Sequence, residues 1–117
     1  MSKILVVEDT PDCMRALTRL LQFQGHTVEC AGDGRQALDV LDYFTPDLII
    51  LDVMMPVMDG VSFLEAMRAK PSWKAIRVIV FSGCAEGVDA QRLADLGVWE
   101  VVTKGSFDVD RLLALVA

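Results

Sequence analysis

No apolar run in this sequence approaches the ~20 residues that would span a bilayer. The first, Ile4-Leu5-Val6-Val7, stops at Glu8 and is too short for the core of an export signal. Both absences lead us to expect a cytoplasmic chain with no membrane insertion. Cysteine is scarce: Cys13, Cys30 and Cys84 are odd in number and lack the close pairing of a zinc site. They read as buried or half-buried thiols in a reducing compartment. Positive charge is short as well, with 11 Lys and Arg against 17 Asp and Glu and a net charge of -6. Such a surface repels phosphate backbones, so direct nucleic-acid binding is not expected. No Ser/Gly-rich linker, low-complexity tract or fixed-period repeat interrupts the chain. Its 117 residues, 53% of them hydrophobic, are expected to form one domain over 1–117. The lone histidine, His26, sits in Gln24-Gly25-His26-Thr27 and reads as a surface turn residue.

What is present is a rhythm of short apolar runs, each followed by an amphipathic segment. Ile4 to Val7 reads as a first strand, and Thr10-Pro11 as a helix N-cap followed by proline at the first helical position. Met14, Leu17, Leu20 and Leu21 line one face of that helix. After Gly25, Thr27 to Ala31 alternates like a strand, and Gly34 to Tyr43 is helical in pattern. Leu48-Ile49-Ile50-Leu51 is a continuous apolar run, as expected of a central parallel strand covered on both faces. Asp59-Gly60 opens a helix carrying Phe63, Leu64 and Met67. Val78 to Phe81 is a fourth strand, Glu86 to Leu96 a weaker helix and Val98 to Val102 a fifth strand. Ser106 is placed to cap a last helix with Leu112, Leu113 and Val116. Five βα units imply an α/β fold with a doubly wound parallel sheet and helices on both faces. The flavodoxin-like strand order 2-1-3-4-5 is expected, with ligands at the carboxyl ends of the strands.

That rule singles out Glu8-Asp9, Asp52, Ser82 and Thr103-Lys104, each at the carboxyl end of a predicted strand. First and third strands are neighbours in this order, about 4.8 Å apart, so Glu8, Asp9 and Asp52 should converge. Two carboxylates ~5 Å apart repel by roughly 3 kcal/mol at an effective dielectric of 20, and a cation would compensate them. Oxygen ligands with room for water and a phosphate suit Mg²⁺. The plainer reading is that each acid is a solvated strand end; a lysine and a hydroxyl at the other strand ends weigh against it.

Here a resemblance becomes specific. Val6-Val7-Glu8-Asp9, Leu48 through Gly60 with its Asp52-Val53-Met54-Met55-Pro56-Val57-Met58-Asp59-Gly60 stretch, Phe81-Ser82-Gly83 and Val102-Thr103-Lys104 are similar to the receiver domains of two-component response regulators. The similarity covers essentially the whole chain. It implies that Asp52 is a phosphoacceptor, that Glu8 and Asp9 form the metal-binding pair and that the backbone carbonyl of Met54 is a further ligand. It gives Ser82 the role of switch hydroxyl and Lys104 that of the charged residue reaching the phosphoryl oxygens. The implied donor is a sensor histidine kinase or a phosphotransfer protein. The implied output is a changed surface on the fourth helix, fifth strand and fifth helix, read by an effector or an appended domain. The same face is the family's usual site of homodimer formation. Met55, Pro56, Met58 and Asp59 are read as shaping the loop after the acceptor.

Several positions depart from the family pattern. Three residues before the lysine, where an aromatic is common, stands Val101, which has one stiff torsion and no ring to relocate. Trp99 should share its side of the strand by period-two alternation and contribute to the readout. The usual proline after the lysine is replaced by Gly105, so the Lys104-Gly105 bond is expected to be trans. Met54 and Cys84 occupy two positions that tune phosphoryl lifetime. Neither side chain orients water as an amide or carboxylate does, so slow self-dephosphorylation is expected.

Three other functional classes fit these residues less well. An aspartyl-phosphate phosphatase of the haloacid dehalogenase type wants a second acid two residues after its nucleophile, where this chain has Met54. A flavodoxin-like redox protein wants a Ser/Thr/Gly-rich phosphate loop, which is missing, and the three acids would repel a flavin phosphate. A degenerate receiver would lack part of the set Glu8, Asp9, Asp52, Ser82 and Lys104, all of which are present. The reading that remains is a phosphorelay switch that catalyses only its own phosphorylation and dephosphorylation.

Overall fold

The structure, a computed structural model, describes residues 2–52, 60–82, 90–103 and 108–116. Strands β1 (Lys3–Val7), β2 (Thr27–Ala31), β3 (Leu48–Leu51), β4 (Arg77–Ser82) and β5 (Glu100–Thr103) form one parallel sheet in the order β2-β1-β3-β4-β5. Between and after them run α1 (Pro11–Phe23), α2 (Gly34–Leu41), α3 (Gly60–Arg68), α4 (Ala90–Asp95) and α5 (Asp108–Val116). A 3-10 turn over Pro71–Trp73 precedes β4. The expected flavodoxin-like topology is present.

Alternation along the strands divides the core into two layers. Ile4 and Val6 of β1, Ile50 of β3 and Ile79 and Phe81 of β4 face α1 and α5 through Leu17, Leu21, Leu112 and Val116. Leu5, Val7, Ile49, Leu51, Val78 and Val80 face the other way, onto Ala37, Val40, Phe63, Leu64, Met67 and Leu93 of α2, α3 and α4. All four residues of β3 are buried, which explains its unbroken apolar run. Each such leucine or isoleucine contributes roughly 1.5–3 kcal/mol by leaving water.

Element ends differ from the sequence expectations for local reasons. The second helix stops at Leu41 because Asp42 and Tyr43 donate to Asp39 and Val40, tightening the last turn. β5 starts at Glu100, since the Val98 N–H still closes the end of α4 on the Leu93 carbonyl at 3.1 Å. The turn there passes through Gly97 at φ +77°, a conformation that favours glycine. Thr10 does precede α1 with extended backbone and Pro11 at the first position, but its side chain makes no cap bond. α2 is capped by Asp33, which accepts from the Gln36 N–H at 2.9 Å. His26 is a correction: it is 9% exposed, and its Nδ1 accepts the Ser2 N–H at 3.0 Å, tying the start of β1 to the start of β2. A Gly-flanked histidine looks like a turn residue until the parallel pairing of Lys3 with Thr27 brings the chain start beside it.

Candidate functional site

The carboxyl ends of β1 and β3 deliver the acids. In register, Val7 lies beside Leu51, and the ladder continues for one residue beyond the strands. The Asp52 N–H donates to the Val7 carbonyl at 2.9 Å, and the Glu8 N–H donates to the Ala31 carbonyl at 3.0 Å. The sheet therefore fixes both acidic backbones. Carboxylate oxygens of Glu8, Asp9 and Asp52 lie within 4.8 Å of one another. Glu8 and Asp52 are buried, with 1% and 5% exposure, while Asp9 faces solvent.

Burial makes this concentration of charge costly. At an effective dielectric of 20, the Glu8–Asp52 pair alone repels by roughly 3 kcal/mol. Part of the compensation is local. Glu8 accepts the Thr10 N–H at Oε1 (3.2 Å), just before α1 begins at Pro11. The donor set is entirely oxygen, which suits a hard divalent cation. Carboxylate oxygens gathered within 4.8 Å, one of them on an exposed side chain, would let Glu8, Asp9 and Asp52 hold Mg²⁺ directly or through water. The residues fit the ion.

The other sequence candidates are placed unevenly. Ser82 ends β4, paired in register with Thr103 at the end of β5. Its backbone thus reaches the same edge of the sheet as Asp52. Met54 and Lys104 lie outside the described residues, as do Met55, Pro56, Met58, Asp59, Cys84, the Lys104-Gly105 bond and Ser106. Val101 and Trp99 are both exposed, at 38% and 45%, while Val102 is buried. The alternation expected for them is observed. Trp99, however, stands at the amino end of β5, where the Arg77 guanidinium covers its ring at 4.9 Å from the centroid. Sequence reading passed over the Thr10 N–H that binds Glu8. Its only signal is proximity: a backbone donor at a helix start, two residues after an acid.

Comparison with known proteins agrees with the fold. The family described as "Response regulator receiver domain" matches residues 4–117. The transcriptional regulatory protein TcrA of Mycobacterium tuberculosis is 36% identical over 114 residues, covering 96% of this chain and 43% of that protein. The regulatory protein AtoC of Escherichia coli is 33% identical, covering 98% of this chain and 24% of its own length. This chain therefore spans less than half of either. Among solved structures, the response regulator TrrA of Thermotoga maritima, in complex with Mg(2+)-BeF, superposes with a TM-score of 0.85 at 30% identity, covering 99% of this chain and 96% of that one.

Proposed function

This chain belongs to the response-regulator receiver domain family, and from that premise we propose that it is a phosphorelay switch whose phosphoacceptor is Asp52. The observation that carries the proposal is the meeting of Glu8, Asp9 and Asp52 carboxylates within 4.8 Å at the carboxyl end of the sheet.

In the proposed reaction a carboxylate oxygen of Asp52 attacks the phosphorus of a phosphohistidine on a kinase or phosphotransfer protein. The new O–P bond forms as the N–P bond breaks, and the leaving imidazole takes up a proton. Charge gathers on the equatorial oxygens, so catalysis is mainly positioning and charge compensation. Glu8 and Asp9, with Asp52 and the backbone carbonyl of Met54, would hold Mg²⁺; Glu8 would act through a water. When bound, the ion neutralises phosphoryl charge. From their sequence positions, Lys104 would contact another phosphoryl oxygen and Ser82 would donate a hydrogen bond to the attached group. The backbone bonds of Asp52 and Glu8 to the sheet support the acceptor's position. No external substrate is turned over. The acyl phosphate is lost to water, which resets the switch.

The output we propose runs through α4, β5 and α5, with Val101 and Trp99 on the readout surface. The effector is a separate partner or a domain appended to this one, as the greater length of TcrA and AtoC suggests. Homodimer formation through the same face belongs to this proposal. A cytoplasmic setting suits the half-buried cysteines Cys13 and Cys30, neither of which is in a disulfide. Among the described residues no helix is long and apolar enough to cross a membrane.

Beryllofluoride, a phosphoryl mimic, tests the site without a kinase. With Mg²⁺ it should perturb the amide spectrum around Asp52 in the wild type and leave Asp52→Asn unchanged. The same response in both proteins would remove the proposal.

A further inference from the structure

At the amino ends of β4 and β5, opposite the acidic cluster, the charge reverses. Residues 68–77 carry Arg68, Lys70, Lys74 and Arg77 with no acid among them, in a chain of net charge -6. Arg68 is engaged by the fold. Its guanidinium donates to the carbonyls of Leu96 at 2.8 Å, Ile76 at 2.9 Å, Lys74 at 3.0 Å and, at 3.3 Å, Trp73 and Gly97. These bonds pin the turn before β4 to the end of α4. A groove of about 470 Å³ lies between the two, with Lys74, Ile76, Arg77, Leu96 and Trp99 in its walls.

The remaining cations are presented, not neutralised. Lys70 lies 4.3 Å from the Trp73 ring centroid and Arg77 4.9 Å from that of Trp99. Among the described residues, none of Lys70, Lys74 and Arg77 is in an ion pair. Asp95 on the rim is already held by the Gln91 side-chain amide at 2.9 Å.

We propose that this groove docks an acidic segment of a partner protein that also carries a large apolar side chain. Carboxylates of the segment meet Lys74 and Arg77, while the apolar side chain lies on Ile76, Leu96 and the open part of Trp99. Charge complementarity selects the occupant. The net negative charge of the chain disfavours such a segment elsewhere, so electrostatics directs it to a stretch of opposite sign such as this one. Tryptophan and arginine are the side chains on which interface energy most often concentrates. The Arg68 clamp fixes the walls beforehand, which lowers the ordering cost of binding. A nucleic acid is the poorer fit, because an extended polyanion would run past the groove onto the rest of a chain of net charge -6.

The test is titration of the intact chain with a short synthetic peptide of alternating Glu and Leu, followed by amide chemical shifts and tryptophan emission. The expected result is saturable binding, with shifts confined to the groove walls. Lys74→Glu combined with Arg77→Glu should weaken it by about tenfold or more, as should Trp99→Ala. All three positions are exposed, so circular dichroism should report an unchanged fold. No saturable shift overturns the proposal, as does equal binding to the wild type and the charge-reversed protein. Equal binding of a Gln/Leu peptide, or displacement of the peptide by a DNA duplex, overturns it too.

Discussion

The backbone N–H of Asp52 donates to the carbonyl of Val7 at 2.9 Å, one residue beyond the end of β3. The backbone of Asp52, the proposed acceptor, is thereby held by the central sheet. A site fixed in this way should respond to a divalent cation without refolding. Mg²⁺ raised to about 100 times its dissociation constant at constant ionic strength should stabilise the protein against urea by about 2.7 kcal/mol. Asp9→Asn should lose most of that gain. An equal gain in the variant would show that the ion binds elsewhere.

Arg68 clamps the opposite end of the fold. Hydrogen bonds from a charged donor contribute about 1.5–3 kcal/mol each, though not additively, so Arg68→Ala should cost roughly 3 kcal/mol in urea unfolding. Arg68→Lys should recover little, because an ammonium lacks the planar fork that reaches several carbonyls. Burial of the Arg68 guanidinium lowers its pKa from the ordinary arginine value. A base with a lowered folded pKa is penalised while protonated in both states, and the penalty lifts only as pH rises through the folded value toward the unfolded one. The pH dependence from Arg68 should therefore appear only in strongly alkaline solution. A loss of under about 0.5 kcal/mol in Arg68→Ala would contradict the clamp.

Much of this architecture is legible from residue patterns because it follows from burial. Four-residue apolar runs became β1 and β3 cores, and the strand order placed Glu8, Asp9 and Asp52 together as expected. Other features depend on contacts between distant segments. Burial of His26 requires the chain start to lie beside it, and local composition carries no sign of that. The delayed start of β5 reflects the Val98 N–H returning to Leu93, a backbone event invisible in side-chain periodicity. The 3-10 turn at Pro71–Trp73 is too short to show a period at all. The Arg68 clamp is equally hidden, since its acceptors are carbonyls that every sequence possesses.

Phosphoryl lifetime should reflect the residue at 54. A thioether has no strong donor or acceptor with which to orient water, so phospho-Asp52 is expected to persist for minutes or longer. Met54→Asn should shorten the half-life about tenfold, equivalent to ~1.4 kcal/mol of barrier. Loss of phosphate followed after removing the donor checks both values. A wild-type half-life of seconds would contradict the expectation.

Readout at position 101 should proceed without a ring flip. Val101 is 38% exposed, so Val101→Tyr should change stability by no more than about 0.5 kcal/mol. Methyl spectra of the wild type should show no rotamer exchange at Val101 on phosphorylation, given its single stiff torsion. A large change in its side-chain couplings would contradict this.

The most direct test is the stoichiometry of phosphorylation by acetyl phosphate with Mg²⁺, read from intact mass and mapped by trapping the acyl phosphate with borohydride. The wild type should gain one phosphoryl group, located at Asp52, and Asp52→Asn should gain none. Equal modification of the two proteins, or trapping at any other carboxylate in the wild type, would contradict the assignment of Asp52.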